Sequence, residues 1–264
     1  MNKAFFKYYR SADTIYQVHS PFLYKFAEAV MEKPVKRFPD IETLRNKLKA
    51  DSSTIHRTDF GAGSKQLRTI TTIANIAKSS ISHPLVCQWL YRISSFFQPK
   101  EILEFGTSLG ISSAYLAKGS PGSKITTVEG DSEVFKIANK NFSQLNLEID
   151  SINNTFHSFL EDISPDQDFD LVFLDGHHNY KATKTYFQKL KPHFKPTTIA
   201  ILDDIHWSTE MEKAWEELKN DPLVRSSVDL FQLGILFFKP ENSKPEHRIL
   251  IPQKYKPWKI RLKD

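Results

Sequence analysis

Glu101-Ile102-Leu103-Glu104-Phe105-Gly106-Thr107-Ser108-Leu109-Gly110 is the stretch on which the fold turns. Residues 101–105 form a short, mostly apolar run, as expected of a buried strand. Gly106 and Gly110 then free the backbone for a tight turn. A helix follows through Leu116, and a second strand, 124–128, leads to Glu129, nineteen residues after Gly110. Strand, glycine turn, helix and strand make the first unit of an open α/β sheet.

Working outward, the same alternation continues. Strands are expected at 148–152, 169–174 and 198–202, with helices at 134–145, near Phe159, at 180–190 and at 210–218. The last unit differs. Residues 228–230 and 235–238 flank Gln232-Leu233-Gly234 with no room for a helix, so they form a hairpin. The expectation for 98–240 is a Rossmann-like, doubly wound α/β core. Its seven-stranded sheet is mostly parallel and ends in an antiparallel hairpin. Residues 1–97 read as a helical extension or cap. Its helices start at Ser20-Pro21, run over 41–48 and 67–77, and start again at His83-Pro84. The tail, 241–264, is basic and is expected to wrap the surface.

Composition sets the class. With 40% hydrophobic and 25% charged residues over 264 positions, the chain can bury a sizeable core. No apolar run approaches the ~20 residues of a membrane span, and the first ten residues do not read as a signal peptide. Cys87 is the lone cysteine, which excludes an internal disulfide and a cysteine-based zinc site. A reducing cytoplasm is the expected compartment. Charge is uneven. Residues 1–50 carry ten Lys or Arg against five Asp or Glu, and 241–264 carry seven against three. The middle carries nineteen against twenty-three. A basic periphery on an acidic core admits an anionic substrate or RNA, although a merely solvated surface is the simpler reading.

Ligands of open α/β sheets bind beyond the carboxyl ends of the strands. Glu129 stands where an acid can accept hydrogen bonds from ribose hydroxyls. A tight turn plus a surface glutamate is the rival reading. Glu104 precedes the first glycine. An acid there opposes a pyrophosphate but can hold a cationic amino-acid moiety, which favours a sulfonium-bearing nucleoside. Residues 104–110, with Val128-Glu129-Gly130, resemble motif I and the following acid of class I S-adenosylmethionine-dependent methyltransferases. The resemblance covers roughly 98–240. It implies that Glu104, Gly106, Thr107, Ser108, Gly110 and Ser112 line the methionine end of S-adenosylmethionine. It further implies that Glu129 and Gly130 hold the ribose, and that Asn154 and Thr155 border the adenine.

Asp175 ends the fourth core strand, and Asp203-Asp204 ends the fifth. Neighbouring strand ends bring these acids into one crevice, which is costly unless a cation or protons offset the repulsion. Oxygen-rich sets suit Mg²⁺ or another divalent cation. The arrangement is similar to the divalent-metal-dependent O-methyltransferases of the catechol and caffeoyl-CoA type. By that resemblance Asp175, Asp203 and Asp204 hold the metal. Asp204 departs from the usual Asn, and His177-His178 replaces an expected lysine. His177 or His178 is then the catalytic base, with Asp175 beside it, or His178 is a ligand. The alternative is that Asp175 contacts the cofactor alone and both histidines are ordinary loop residues.

Two smaller features remain. Asp59-Phe60-Gly61-Ala62-Gly63-Ser64 also looks like motif I, but no strand ending in an acid follows it. A plain turn is preferred there over a lid or an anion-binding helix start. Trp207 either packs on a substrate or caps the next helix, and His19 is read as structural. The expected reaction is in-line methyl transfer to the oxygen of a small-molecule acceptor. RNA methylation and non-catalytic cofactor binding are the alternatives. A homodimer is compatible with the sequence.

Overall fold

The computed structural model describes residues 3–59, 67–239 and 246–259. The chain opens with α1 (Lys3–Ser11), α2 (Pro21–Ala27, continued by a π turn) and α3 (Pro39–Ala50). Ser20 caps α2 with its hydroxyl, and Pro21 follows at the first helical position. A two-stranded antiparallel hairpin follows, β1 (Thr54–Asp59) and β2 (Leu67–Thr72). This corrects the helix expected over 67–77. Thr69, Ile70, Thr71 and Thr72 are β-branched in succession and favour a strand. The helix begins only after them, at α4 (Ile73–Ser80), capped by Thr72. The turn Asp59–Ser64 lies outside the described residues beyond Asp59. Then comes α5 (Pro84–Phe97).

From there strands and helices alternate: β3 (Glu101–Phe105), α6 (Ile111–Gly119), β4 (Lys124–Glu129), α7 (Ser132–Gln144), β5 (Asp150–Asn153), α8 (Phe156–Asp162), β6 (Phe169–Leu174), α9 (Tyr180–Leu190), β7 (Phe194–Asp203) and α10 (Thr209–Lys219). β8 (Ser226–Asp229), β9 (Leu233–Phe237) and β10 (Glu246–Ile249) complete the chain. The sheet has eight strands in the order β10-β8-β9-β7-β6-β3-β4-β5. All run parallel except β9, which pairs antiparallel with both β7 and β8. The hairpin is as expected. The eighth strand is β10, supplied by the tail that was expected to wrap the surface. It pairs in parallel with β8.

Burial on both sheet faces explains the apolar strands. Along β6, Leu171 and Phe173 join one core with Leu90 and Ile93 of α5. Val172 and Leu174 alternate to the other face, against Tyr186 and Leu190 of α9. No helix among the described residues is long and apolar enough to cross a membrane.

The chain adds β4 and β5 on one side of β3, then returns to its other side with β6. The crevice at that reversal, beyond the carboxyl ends of β3 and β6, is the ligand site the topology offers.

Candidate functional site

The crevice is a cavity of about 810 Å³. One half is built on the turn after β3. Gly106 has φ +100°, and a Cβ there would lie 1.8 Å from the carbonyl oxygen of Asp175. The Asp175 N–H donates to the Phe105 carbonyl at 2.9 Å, so the two strand ends are in backbone contact and only glycine fits between them. Ser108, at φ +46°, lines the cavity and donates its N–H to Glu129 Oε2 at 2.9 Å. The other oxygen, Oε1, accepts from the Asp131 N–H at 2.9 Å. Burial raises the pKa of Glu129, the two amide bonds and Arg57 oppose the rise, and the Asp131 charge adds to it.

Glu104 lies fully buried beneath this floor. Its Oε2 accepts from Ser113 and, at 2.8 Å, from Thr127. Burial pushes its carboxyl up to about 7, against hydrogen bonds from Ser112, Ser113 and Thr127 and with the help of the Asp175 charge. Its Oε1 and the Ser108 Oγ are buried without a hydrogen-bond partner.

The other half stands on the turns after β6 and β7. Asp175 Oδ1 lies 3.5 Å from His178 Nε2. Burial disfavours the imidazolium of His178, but the hydrogen bond and charge of Asp175, with Asp204, outweigh it and raise its pKa. His177 Nδ1 lies 2.6 Å from the Tyr186 hydroxyl, whose pKa burial pushes up to about 12. Asp203 is largely buried at the cavity wall. Desolvation, the charges of Asp175 and Asp204 and a hydrogen bond with Asp175 raise its pKa well above the usual carboxylate value. Burial also raises Asp204, which His178 counteracts and Asp175 reinforces.

Ser108, His177 and Asp204 share one property. Each is a non-glycine residue with positive φ, at +46°, +49° and +53°, and each follows a different strand of the crevice. Such backbone is held by its surroundings and gathers at functional sites.

Of the residues expected to bind cofactor, Gly106, Ser108, Glu129, Gly130 and Asp175 line the cavity. Glu104, Thr107 and Ser112 are buried behind the lining. Gly110 packs on the Phe142 ring, and Thr155 rather than Asn154 reaches the wall. The expected base candidates His177 and His178 both line it, as do Asp203, Asp204 and Trp207, which is 72% exposed. Trp207 does not cap α10. Ser208 does. The three acids expected to hold a metal meet beside His178. Among the described residues no three His, Cys, Asp or Glu are placed to hold a metal ion.

Sequence reasoning missed one whole wall. Arg57 and Thr58 of β1 line the cavity, and the Thr58 N–H donates to Asp131 Oδ2 at 2.5 Å. Residues 79–83, between α4 and α5, close another side. Arg45, buried, holds that segment by donating to the Ser82 carbonyl at 2.8 Å. The signal was present in the β-branched run 69–73, read there as helix.

Comparison with known proteins identifies this frame. Residues 103–205 match a family model described as a methyltransferase domain. The chain carries a methyltransferase domain. Its solved neighbours agree. An O-methyltransferase from Bacillus cereus, in complex with S-adenosylhomocysteine, superimposes with a TM-score of 0.58 at 18% identity, over 78% of this chain and 94% of that one. A candidate caffeoyl-CoA O-methyltransferase from Staphylococcus aureus gives 0.55 at 21%, over 62% and 88%. The O-methyltransferase TomG from Streptomyces achromogenes, in complex with S-adenosylmethionine, gives 0.52 at 17%, over 61% and 82%. Residues 103–205 thus match a methyltransferase domain, and the chain shares the fold of these solved methyltransferases.

Proposed function

We propose that the protein transfers the methyl group of S-adenosylmethionine to a hydroxyl oxygen of a small-molecule acceptor, with His178 as the base and Asp175 orienting it. The observation that carries this reading is one shared cavity. The Gly106–Ser108 turn and Glu129 line one half, and Asp175 and His178 the other.

The residues suit the methyl donor. Glu104 Oε1 is an orphaned buried carboxyl oxygen, and the matching group is the ammonium of an amino-acid moiety. Four residues on, Ser108 Oγ is also buried without a partner, and Ser108 lines the cavity. Each Glu129 oxygen accepts one amide bond, and a carboxylate has about four acceptor sites, so capacity remains for two ribose hydroxyls. Gly130, Thr155 and Phe156 border the space left for the adenine.

When bound, S-adenosylmethionine supplies an electrophilic methyl carbon on a sulfonium. The chain supplies alignment and a proton acceptor. Asp175 accepts a hydrogen bond from His178 Nε2–H, which leaves Nδ1 to receive the acceptor's hydroxyl proton as the new carbon–oxygen bond forms. Alignment is the larger share, since positioning can supply ~7–11 kcal/mol. The β1–β2 hairpin and the 79–83 segment exclude water from that event.

The acids do not fit a preformed divalent site. Burial and the charges of Asp175 and Asp204 raise the Asp203 pKa, and among the described residues no three His, Cys, Asp or Glu are placed to hold a metal ion. Calorimetry with S-adenosylhomocysteine, followed by assay of labelled methyl transfer to a panel of phenols and catechols with chelator present, tests this reading. Binding and chelator-insensitive turnover are expected. Absence of binding overturns the whole reading. Turnover lost to chelator and restored by Mg²⁺ overturns the role of His178.

A further inference from the structure

The two basic flanks of the chain, more than two hundred residues apart, fold onto each other. Asp13 bridges to Leu250, with its N–H on the Ile249 carbonyl at 2.8 Å and its carbonyl accepting from Ile251 at 2.9 Å. The Tyr9 hydroxyl donates to the Tyr255 carbonyl at 3.0 Å, and Lys256 Nζ donates to the Ala12 carbonyl at 2.7 Å. α1 turns its apolar side inward, where Phe5 and Tyr8 lie 5.0 and 5.1 Å from the Phe231 ring.

What faces out is a different surface. Lys3, Phe6, Lys7 and Arg10 recur at helical spacing on the exposed side of α1. Lys254, Tyr255 and Trp258 are exposed on the segment packed beside it. Phe6 is 50% exposed and Trp258 69%. The neighbouring acids are already engaged. Asp13 is held by Lys259 at 2.5 Å and Arg248 at 3.6 Å, Glu246 by Arg248 at 2.7 Å, and Glu32 accepts the Gln253 N–H at 2.8 Å. The surface therefore presents four cations interleaved with three aromatic rings, and Asp13, Glu246 and Glu32 beside it are each engaged elsewhere.

We infer that this surface, built by α1 and residues 254–258, binds single-stranded nucleic acid. Cations placed between exposed rings match a strand that alternates phosphates with stackable bases. A bilayer surface fits less well. Binding in its interface needs a continuous apolar helix face, and the apolar face of α1 is spent against the body of the protein. The inference does not depend on which acceptor the catalytic cavity takes.

The test is fluorescence anisotropy of the full chain with a labelled oligouridine about 16 nucleotides long. Binding is expected to weaken with salt, with a log–log slope of roughly −2 to −3, since each single-strand phosphate contact contributes about −0.7. Lys7→Glu with Arg10→Glu should weaken it about tenfold or more by reversing two of the four charges. Trp258→Ala should weaken it about fivefold or more through lost stacking, with S-adenosylhomocysteine affinity and melting temperature unchanged. No binding at low salt overturns the inference. So does equal binding by wild type and both variants. Capture by vesicles of phosphatidylserine and phosphatidylcholine, without oligouridine binding, overturns it in favour of a membrane surface.

Discussion

The two halves of the crevice hold their carboxylates in opposite ways. In the half built on β3 and β4, Glu129 is fixed by two backbone amides and Glu104 by the Ser113 and Thr127 hydroxyls. The chain itself determines where those oxygens point. In the half built on β6 and β7, Asp175, Asp203 and Asp204 chiefly face one another and a histidine. Burial and neighbouring carboxylate charge raise the pKa values of Asp203 and Asp204, and His178 counteracts the rise at Asp204. The lesson is that the first half is set by backbone geometry and suits an invariant ligand. The second is set by side-chain electrostatics and can be retuned for different acceptors by few substitutions.

The largest expected effect breaks the second half. His178→Ala should lower kcat by ~10²–10⁴, the usual share of a positioned base, while S-adenosylhomocysteine affinity stays within a few-fold. Unchanged turnover would show that His178 is not the base. Because Asp175 and Asp204 raise the His178 pKa, activity should climb with pH through a value above the ordinary histidine range of about 6.5. Asp175→Asn should shift that limb to lower pH, since the stabilising charge is gone, provided turnover remains measurable.

Gly106→Ala probes the contact between the halves. A Cβ at 1.8 Å from the Asp175 carbonyl, on backbone at φ +100°, should cost about 3 kcal/mol or more, read as a lower melting temperature and lost cofactor binding.

Glu104→Gln sharpens the first half. Its folded pKa of about 7 lies above the unfolded value, so the protonated form is the one the fold favours. The stability this gives is complete below the unfolded pKa and fades as pH rises through about 7. The variant should therefore melt close to wild type in acid and above it at pH 8, by up to about 3 kcal/mol. It should bind S-adenosylmethionine more weakly. A melting difference that does not vary with pH would contradict the burial argument.

The smallest effect expected is that of Glu129→Ala, a several-fold or greater loss of cofactor affinity. It also leaves the Ser108 and Asp131 amides without their acceptor.

The first half was more legible than the second because backbone patterns are written locally. The strands at 101–105 and 169–174, the glycine turn and the acid at 129 follow from runs of one residue class and their spacing. The acids at 175, 203 and 204 were legible as a cluster, but not their proton balance, which depends on burial at a distance. Of the β1–β2 hairpin, β2 is hidden in the sequence because Leu67, Ile70 and Ile73 also satisfy helical spacing, while the β-branched residues among them decide for a strand. β10 was missed because Glu246-His247-Arg248-Ile249 has no apolar run. One side of it pairs with β8 and the rest stays half in solvent.

That edge strand has a practical consequence. β8 is buried along its whole length, and β10 covers the row of backbone donors and acceptors on its outer side. A shortened protein ending near residue 240 would keep the methyltransferase domain yet display a bare β-edge, a template on which further copies can add. Aggregation during expression, rather than loss of folding, is the failure to expect from trimming that tail.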